Sequence, residues 1–220
     1  QHKTMRTKAL FVAAALAVAT VATSVAQVTY SVNAVGYVKV SAIPANSFAM
    51  ICNPLNNTTG NTVADLFPNA PEGTFIYKFI NGAYEQANLF EFGEWGNPSQ
   101  LLLPGEGAFL KTPAGTGYDD LVFVGEVAQG DASNVALQAG FNMVGSVVPQ
   151  AGLLSTDLAY PADEGDFVYL YDVATQNYLP AFLYEFGEWA PSEPSLEVAE
   201  AAFIKPTGAR AWDRNFSVND

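Results

Sequence analysis

The chain has 220 residues, a net charge of −13, one cysteine and one histidine. That excess of acid repels phosphate backbones and anionic lipid, which excludes nucleic acid and an anionic membrane surface as partners. The lone thiol, Cys52, excludes an internal disulfide, and with His2 the only histidine the rest of the chain has no Ser-His-Asp or Cys-His nucleophile and no ordinary zinc site.

The N-terminus reads as an export signal. Met5 is the expected start, with Gln1 to Thr4 a leader or cloning remnant; Arg6 and Lys8 supply the positive region. Ala9 to Ala22 is apolar but shorter than the roughly 20 residues a bilayer span needs. Ser24-Val25-Ala26 is a small-x-small cleavage site before Gln27. Residues 1–26 are therefore expected to be a signal peptide, leaving a secreted or cell-surface chain with no membrane span. Cleavage removes Lys3, Arg6 and Lys8 but no acid, so six basic residues then face 22 acidic ones, a net charge of −16.

The elements that follow come twice. The first strand is predicted through Val35 to Val40, echoed by Val124 to Val127, and the second through Ser47 to Cys52, echoed by Gly140 to Ser146. A helical turn is expected at Thr62 to Phe67 and at Ser155 to Ala159, with Asn61 and Ser155 as N-caps and Pro68 and Pro161 as stops. Thr74 to Phe79 and Phe167 to Tyr171 carry aromatics at every second position, which puts three rings on one face of a strand. Asn81-Gly82 is a two-residue hairpin signal, replaced in the second copy by a longer loop, Asp172 to Asn177. Leu103 leads into Pro104-Gly105-Glu106-Gly107, with Pro and Gly placed for a type II turn. Strands are expected at Ala108 to Lys111 and Ala202 to Lys205, with closing strands at Leu121 to Val127 and Asn215 to Asn219. Tyr30 to Tyr37 is expected to pair with the edge of a β module.

The motif Glu-Phe-Gly-Glu-Trp fixes the repeat: it stands at Glu91 to Trp95 and again at Glu185 to Trp189, 94 residues later. The same offset relates Tyr84 to Tyr178, Phe109 to Phe203, Lys111 to Lys205 and Tyr118 to Trp212. Short strands, regular turns and no long amphipathic helix predict an all-β fold. The expected organisation is two tandem homologous β-sandwich or small-barrel modules with short helical turns only, over 27–128 and 129–220. Cys52 matches Gly145, which marks a tight packing position.

The run Ser31-Val32-Asn33-Ala34-Val35-Gly36-Tyr37, the segment Asn53-Pro54-Leu55-Asn56, the Phe-Gly-Glu-Trp loops and the closing Phe216-Ser217-Val218-Asn219 together resemble a group of uncharacterised exported proteins of Verrucomicrobia-like environmental bacteria. Gly140-Phe141-Asn142 and Pro104-Gly105-Glu106-Gly107-Ala108-Phe109 are also similar to small β modules of bacterial surface proteins, each match lying in one copy only. The resemblance implies fold and export, and carries no catalytic residue with it.

Several groups invite chemistry. Glu91/Glu94 and Glu185/Glu188 are carboxylate pairs of the kind glycoside hydrolysis uses, but two identical pairs in two small modules fit loop stabilisation better. Asp163-Glu164-Gly165-Asp166 is an acidic turn with calcium-type ligands, though the first copy has Pro71-Glu72-Gly73-Thr74 there. Trp95 and Trp189 could stack on a sugar or plug the end of their own module, and Tyr118 and Trp212 carry the same ambiguity. The leading expectation is an exported, non-catalytic structural or cell-surface β-repeat protein with no metal or cofactor. The alternatives are a carbohydrate-binding module using Trp95, Trp189, Tyr118 and Trp212, and a filament subunit assembling by strand exchange. The expected partners are a cell-envelope polymer or further copies of the chain.

Overall fold

The computed structural model describes residues 34–218, and they are nearly all β, arranged in multiple antiparallel sheets. The expected signal peptide and residues 30–33 of the N-terminal strand lie outside the described residues. The first half runs β1 (Val35–Lys39), β2 (Phe48–Cys52), β3 (Phe75–Ile80), β4 (Ala83–Tyr84), β5 (Asn88–Glu91), β6 (Glu94–Trp95), β7 (Gly107–Lys111) and β8 (Val122–Glu126). The second runs β9 (Val135–Leu137), β10 (Asn142–Val144), β11 (Gly152–Leu153), β12 (Phe167–Tyr169), β13 (Tyr171–Asp172), β14 (Asn177–Tyr178), β15 (Phe182–Glu185), β16 (Glu188–Ala190), β17 (Ser195–Leu196), β18 (Ala202–Lys205) and β19 (Arg210–Trp212).

The main sheet of the first half has the order β2-β7-β3-β5-β6, with β4 pairing β3; that of the second has β10-β18-β12-β15-β16. Strand by strand the two orders correspond. Alternation decides what each face does. In β3, Ile76 and Lys78 turn into the core, while Phe75, Tyr77 and Phe79 lie half-buried on the opposite face. The buried Lys78 is satisfied by Glu106 Oε2 at 2.8 Å and the Leu101 carbonyl at 2.6 Å. Asn81 and Gly82 take φ values of 52° and 81°, the left-handed pair of a type I′ hairpin, and join β3 to β4. Gly105, at φ 84°, closes the type II turn in which Glu106 N–H donates to the Leu103 carbonyl at 2.9 Å.

Each half has its own core. Ile51, Phe67, Trp95 and Leu110 belong to the first; Leu154, Trp189, Ile204 and Trp212 to the second. A third cluster, Met50, Cys52, Phe109, Met143, Ala201 and Phe203, draws on both halves. There the Cys52 N–H donates to the Ala199 carbonyl, and Gly145 N–H to that of Gly105. A Cβ on Gly145 would sit 2.8 Å from Cys52 Sγ, so only one of these matched positions has room for a side chain. Burial pushes the Cys52 thiol up to about 12, which makes it a packing group rather than a nucleophile.

Some expectations need correction. Val124 to Val127 does not begin the second half: β8 pairs antiparallel with β1, from Val35↔Glu126 to Lys39↔Val122, and the second half starts its own sheet at Val135. The Val35–Tyr37 part of the N-terminal strand thus pairs within the chain. The last strand of the second half among the described residues is β19; the expected closing strand Asn215 to Asn219 is not formed over its described part, 215–218, where Phe216 N–H donates to Ser133 Oγ, and Asn219 lies outside the described residues. The helical turn Val63–Leu66 is capped by Thr62, not Asn61, through a reciprocal box with Asp65. Ser155 caps no helix; its hydroxyl accepts the Trp189 indole N–H at 3.0 Å.

Candidate functional site

The four aromatic residues singled out from the sequence are all buried: Trp95 at 3%, Trp189 at 8%, Tyr118 at 6% and Trp212 at 0% exposure. Trp95 Nε1 donates to the Phe67 carbonyl at 3.0 Å and Trp212 Nε1 to that of Leu158 at 2.6 Å. Trp95 packs against Phe67 and Phe90, and Trp189 against Tyr160 and Tyr184. Burial raises the Tyr118 hydroxyl to about 12, with Asp120 adding to the effect. All four side chains belong to the cores of their own halves, Trp95 and Tyr118 to the first and Trp189 and Trp212 to the second.

The same motif does present an aromatic residue, one that its sequence does not single out. Phe92 and Phe186 form the tips of the β5–β6 and β15–β16 hairpins and are 89% and 88% exposed. Both take left-handed backbone, φ 59° and 58°, followed by Gly93 and Gly187 at 80° and 81°. A bulky residue there is disfavoured by the approach of Cβ to the carbonyl oxygen. A carboxylate from elsewhere holds each tip. Glu72 accepts the N–H groups of Phe92 and Gly93 at 2.9 and 2.8 Å, and Glu164 accepts those of Phe186 and Gly187 at the same distances. The loop-stabilising acid is therefore not in the motif itself. Glu91 and Glu94 face one another across the hairpin, as do Glu185 and Glu188, and all four are exposed.

A second feature lies on the aromatic faces of the two main sheets. Phe79, Tyr84, Phe141, Tyr169, Tyr178 and Phe203 line a cavity of about 530 Å³. Beside it, Phe48, Tyr77, Phe109 and Tyr171 line another of about 290 Å³ and share Tyr84 and Tyr178 with the first. The two are counterparts: Phe48 corresponds to Phe141, Tyr77 to Tyr169, Phe109 to Phe203 and Tyr171 to Phe79. Ring contacts repeat accordingly, with Phe79–Phe203 at 5.0 Å and Phe109–Tyr171 at 5.2 Å, both edge-on. Tyr84 and Tyr178 stand where the two cavities meet, and burial pushes the Tyr178 hydroxyl up to about 12. Gln176 fastens the slot by gripping the first residue of β2: its Oε1 accepts the Phe48 N–H at 2.7 Å and its Nε2 donates to the Phe48 carbonyl at 3.0 Å.

Charge sharpens the picture. Lys39, Lys78 and Arg210 have carboxylate partners, and Arg214 bonds to Ser146 and Gln150. The remaining cations of the described residues, Lys111 and Lys205, have no ion pair and lie over rings beside the slot: Lys111 is 5.6 Å from the Phe48 centroid and Lys205 5.3 Å from that of Phe141. The alternating aromatics signalled this face in the sequence; that two such faces meet is a tertiary fact.

The acidic turn at Asp163 to Asp166 is committed internally. Asp166, fully buried, receives both Arg210 guanidinium nitrogens at 2.9 and 3.1 Å, the Tyr160 hydroxyl at 2.8 Å and the N–H groups of Asp163 and Thr207. Glu164 is taken by the hairpin tip. These oxygens hold the fold together and are not aimed at an open site. No protein-family profile, curated protein or solved structure matches this chain.

Proposed function

We propose that this is an exported, non-catalytic structural protein of the cell surface, built from two tandem homologous β modules. The observation that carries it is what the repeat preserves. The matched residues are core tryptophans, clamped hairpin tips and a ring-lined slot, and none of the repeated groups is a nucleophile set against a base. Export rests on the residues before Gln27, and the strongly acidic remainder fits a solvated extracellular surface.

The test is fractionation of cells expressing the full chain, with mass analysis of the product. The expected result is an envelope or secreted protein beginning at Gln27. Retention inside the cell with residues 1–26 intact would overturn export. Turnover of an ester, glycoside or peptide substrate that one substitution abolishes would overturn the non-catalytic assignment.

A second reading, carbohydrate binding, moves to the aromatic slot, where rings stand beside the Tyr84 and Tyr178 hydroxyls. It predicts glycan retention that Tyr178→Ala removes while the fold survives.

A further inference from the structure

Three locally unfavourable choices coincide at each hairpin tip. An exposed phenylalanine occupies left-handed backbone, its ring is almost entirely in water, and two glutamates stand directly opposed beside it. Asn-Gly, which the chain uses at Asn81-Gly82, would make the same turn without that strain. The repetition of all three choices at both tips indicates that the ring is there for something outside its own fold.

The aromatic slot is the complementary case. It is a concave surface lined by rings, with unpaired Lys111 and Lys205 beside it in an otherwise acidic chain. A phenyl group flanked by two carboxylates is the ligand chemistry such a surface selects: the ring enters among aromatic edges and faces, and the carboxylates meet the ammonium groups. The chain itself carries that group twice.

We propose that copies of this protein assemble head to tail, the Phe92 or Phe186 tip of one copy seating in the aromatic slot of the next, with the flanking glutamates facing Lys111 or Lys205. The contact joins two different patches, so it is heterologous and propagates unless its rotation closes a ring. It needs no strand exchange. It deepens the structural role proposed above and rests on that reading for its biological setting, while the contact itself belongs to the purified chain.

Sedimentation over a concentration series tests it with four proteins: the unaltered chain, a tip variant (Phe92→Asn with Phe186→Asn), a slot variant (Lys111→Glu with Lys205→Glu), and a charge-reversed tip (Glu91→Lys, Glu94→Lys, Glu185→Lys and Glu188→Lys). The unaltered chain is expected to form larger species as concentration rises, less so in high salt. Tip and slot variants should each associate at least tenfold more weakly. Mixing them should restore binding, because one keeps its slots and the other its tips. The charge-reversed tip should fail against the unaltered slot and bind the slot variant. Thermal melting of each protein guards against misfolding, and the tip variants alter only exposed side chains. A chain that stays monomeric at millimolar concentration overturns the proposal, as does a tip variant that assembles like the original. Assembly unchanged by the tips, with loss of retention on envelope polysaccharide, overturns it in favour of a glycan. Failure of export leaves these outcomes untouched, so the two readings fail separately.

Discussion

Replacing Phe92 and Phe186 together by Asn should stabilise the isolated chain. At 89% and 88% exposure the two rings bury almost nothing, so their removal forfeits little hydrophobic stabilisation. Both residues sit at left-handed φ, 59° and 58°, a conformation that costs an ordinary L-residue about 1–2 kcal/mol and that asparagine adopts far more readily. The Glu72 and Glu164 clamps bind backbone N–H groups and survive the change. A gain of about 1 kcal/mol per site follows, and for a domain of this size each kcal/mol moves Tm by about 2–4 °C. The assay is thermal unfolding by circular dichroism at low protein concentration, where self-association contributes nothing. At high concentration the gain should shrink, because assembly through the tips stabilises only the original chain. A fall in Tm at low concentration would refute the reasoning, since it would mean that the rings serve their own fold. Gly93→Ala, which places a Cβ at φ 80°, is the control that should destabilise.

Trp95→Ala and Trp189→Ala should each cost about 3–5 kcal/mol in urea unfolding, the loss expected of a buried aromatic; unchanged stability would place the rings outside the cores. Asp166→Ala should cost about 3–5 kcal/mol, because it leaves the Arg210 guanidinium, the Tyr160 hydroxyl and two backbone N–H groups without their acceptor; a loss under 1 kcal/mol would count against the network. Stability should also fall on the alkaline side. Cys52 is raised from 9.0 to about 12, and Tyr118 and Tyr178 from 10.0 to about 12, chiefly by burial. Between those values the folded chain holds protons the unfolded chain has released, so the stabilisation is complete below pH 9 and is lost as pH rises toward 12. The urea midpoint between pH 8 and 11 measures this, Cys52→Ala should flatten its first part, and a midpoint constant over that range would contradict the shifts.

The sequence by itself determined the local geometry. Asn81-Gly82 and Pro104-Gly105 dictated their turns because few other residues accept those dihedral angles. Period-two alternation placed Phe75, Tyr77 and Phe79 on one strand face, and the pairing of Cys52 with Gly145 announced a site too narrow for two side chains. Only the tertiary structure decided which side of each pattern was inside. Alternation divides a strand into two faces without saying what covers either, so Trp95 could be read as exposed and Phe92 overlooked. Glu72 reaches its hairpin from 20 residues upstream, and Gln176 grips Phe48 across 128 residues; no local signal encodes such partners. The slot exists because rings of the two halves are brought into contact, Phe79 with Phe203 and Phe109 with Tyr171. That juxtaposition belongs to the packing of one sheet against the other and is absent from either half alone.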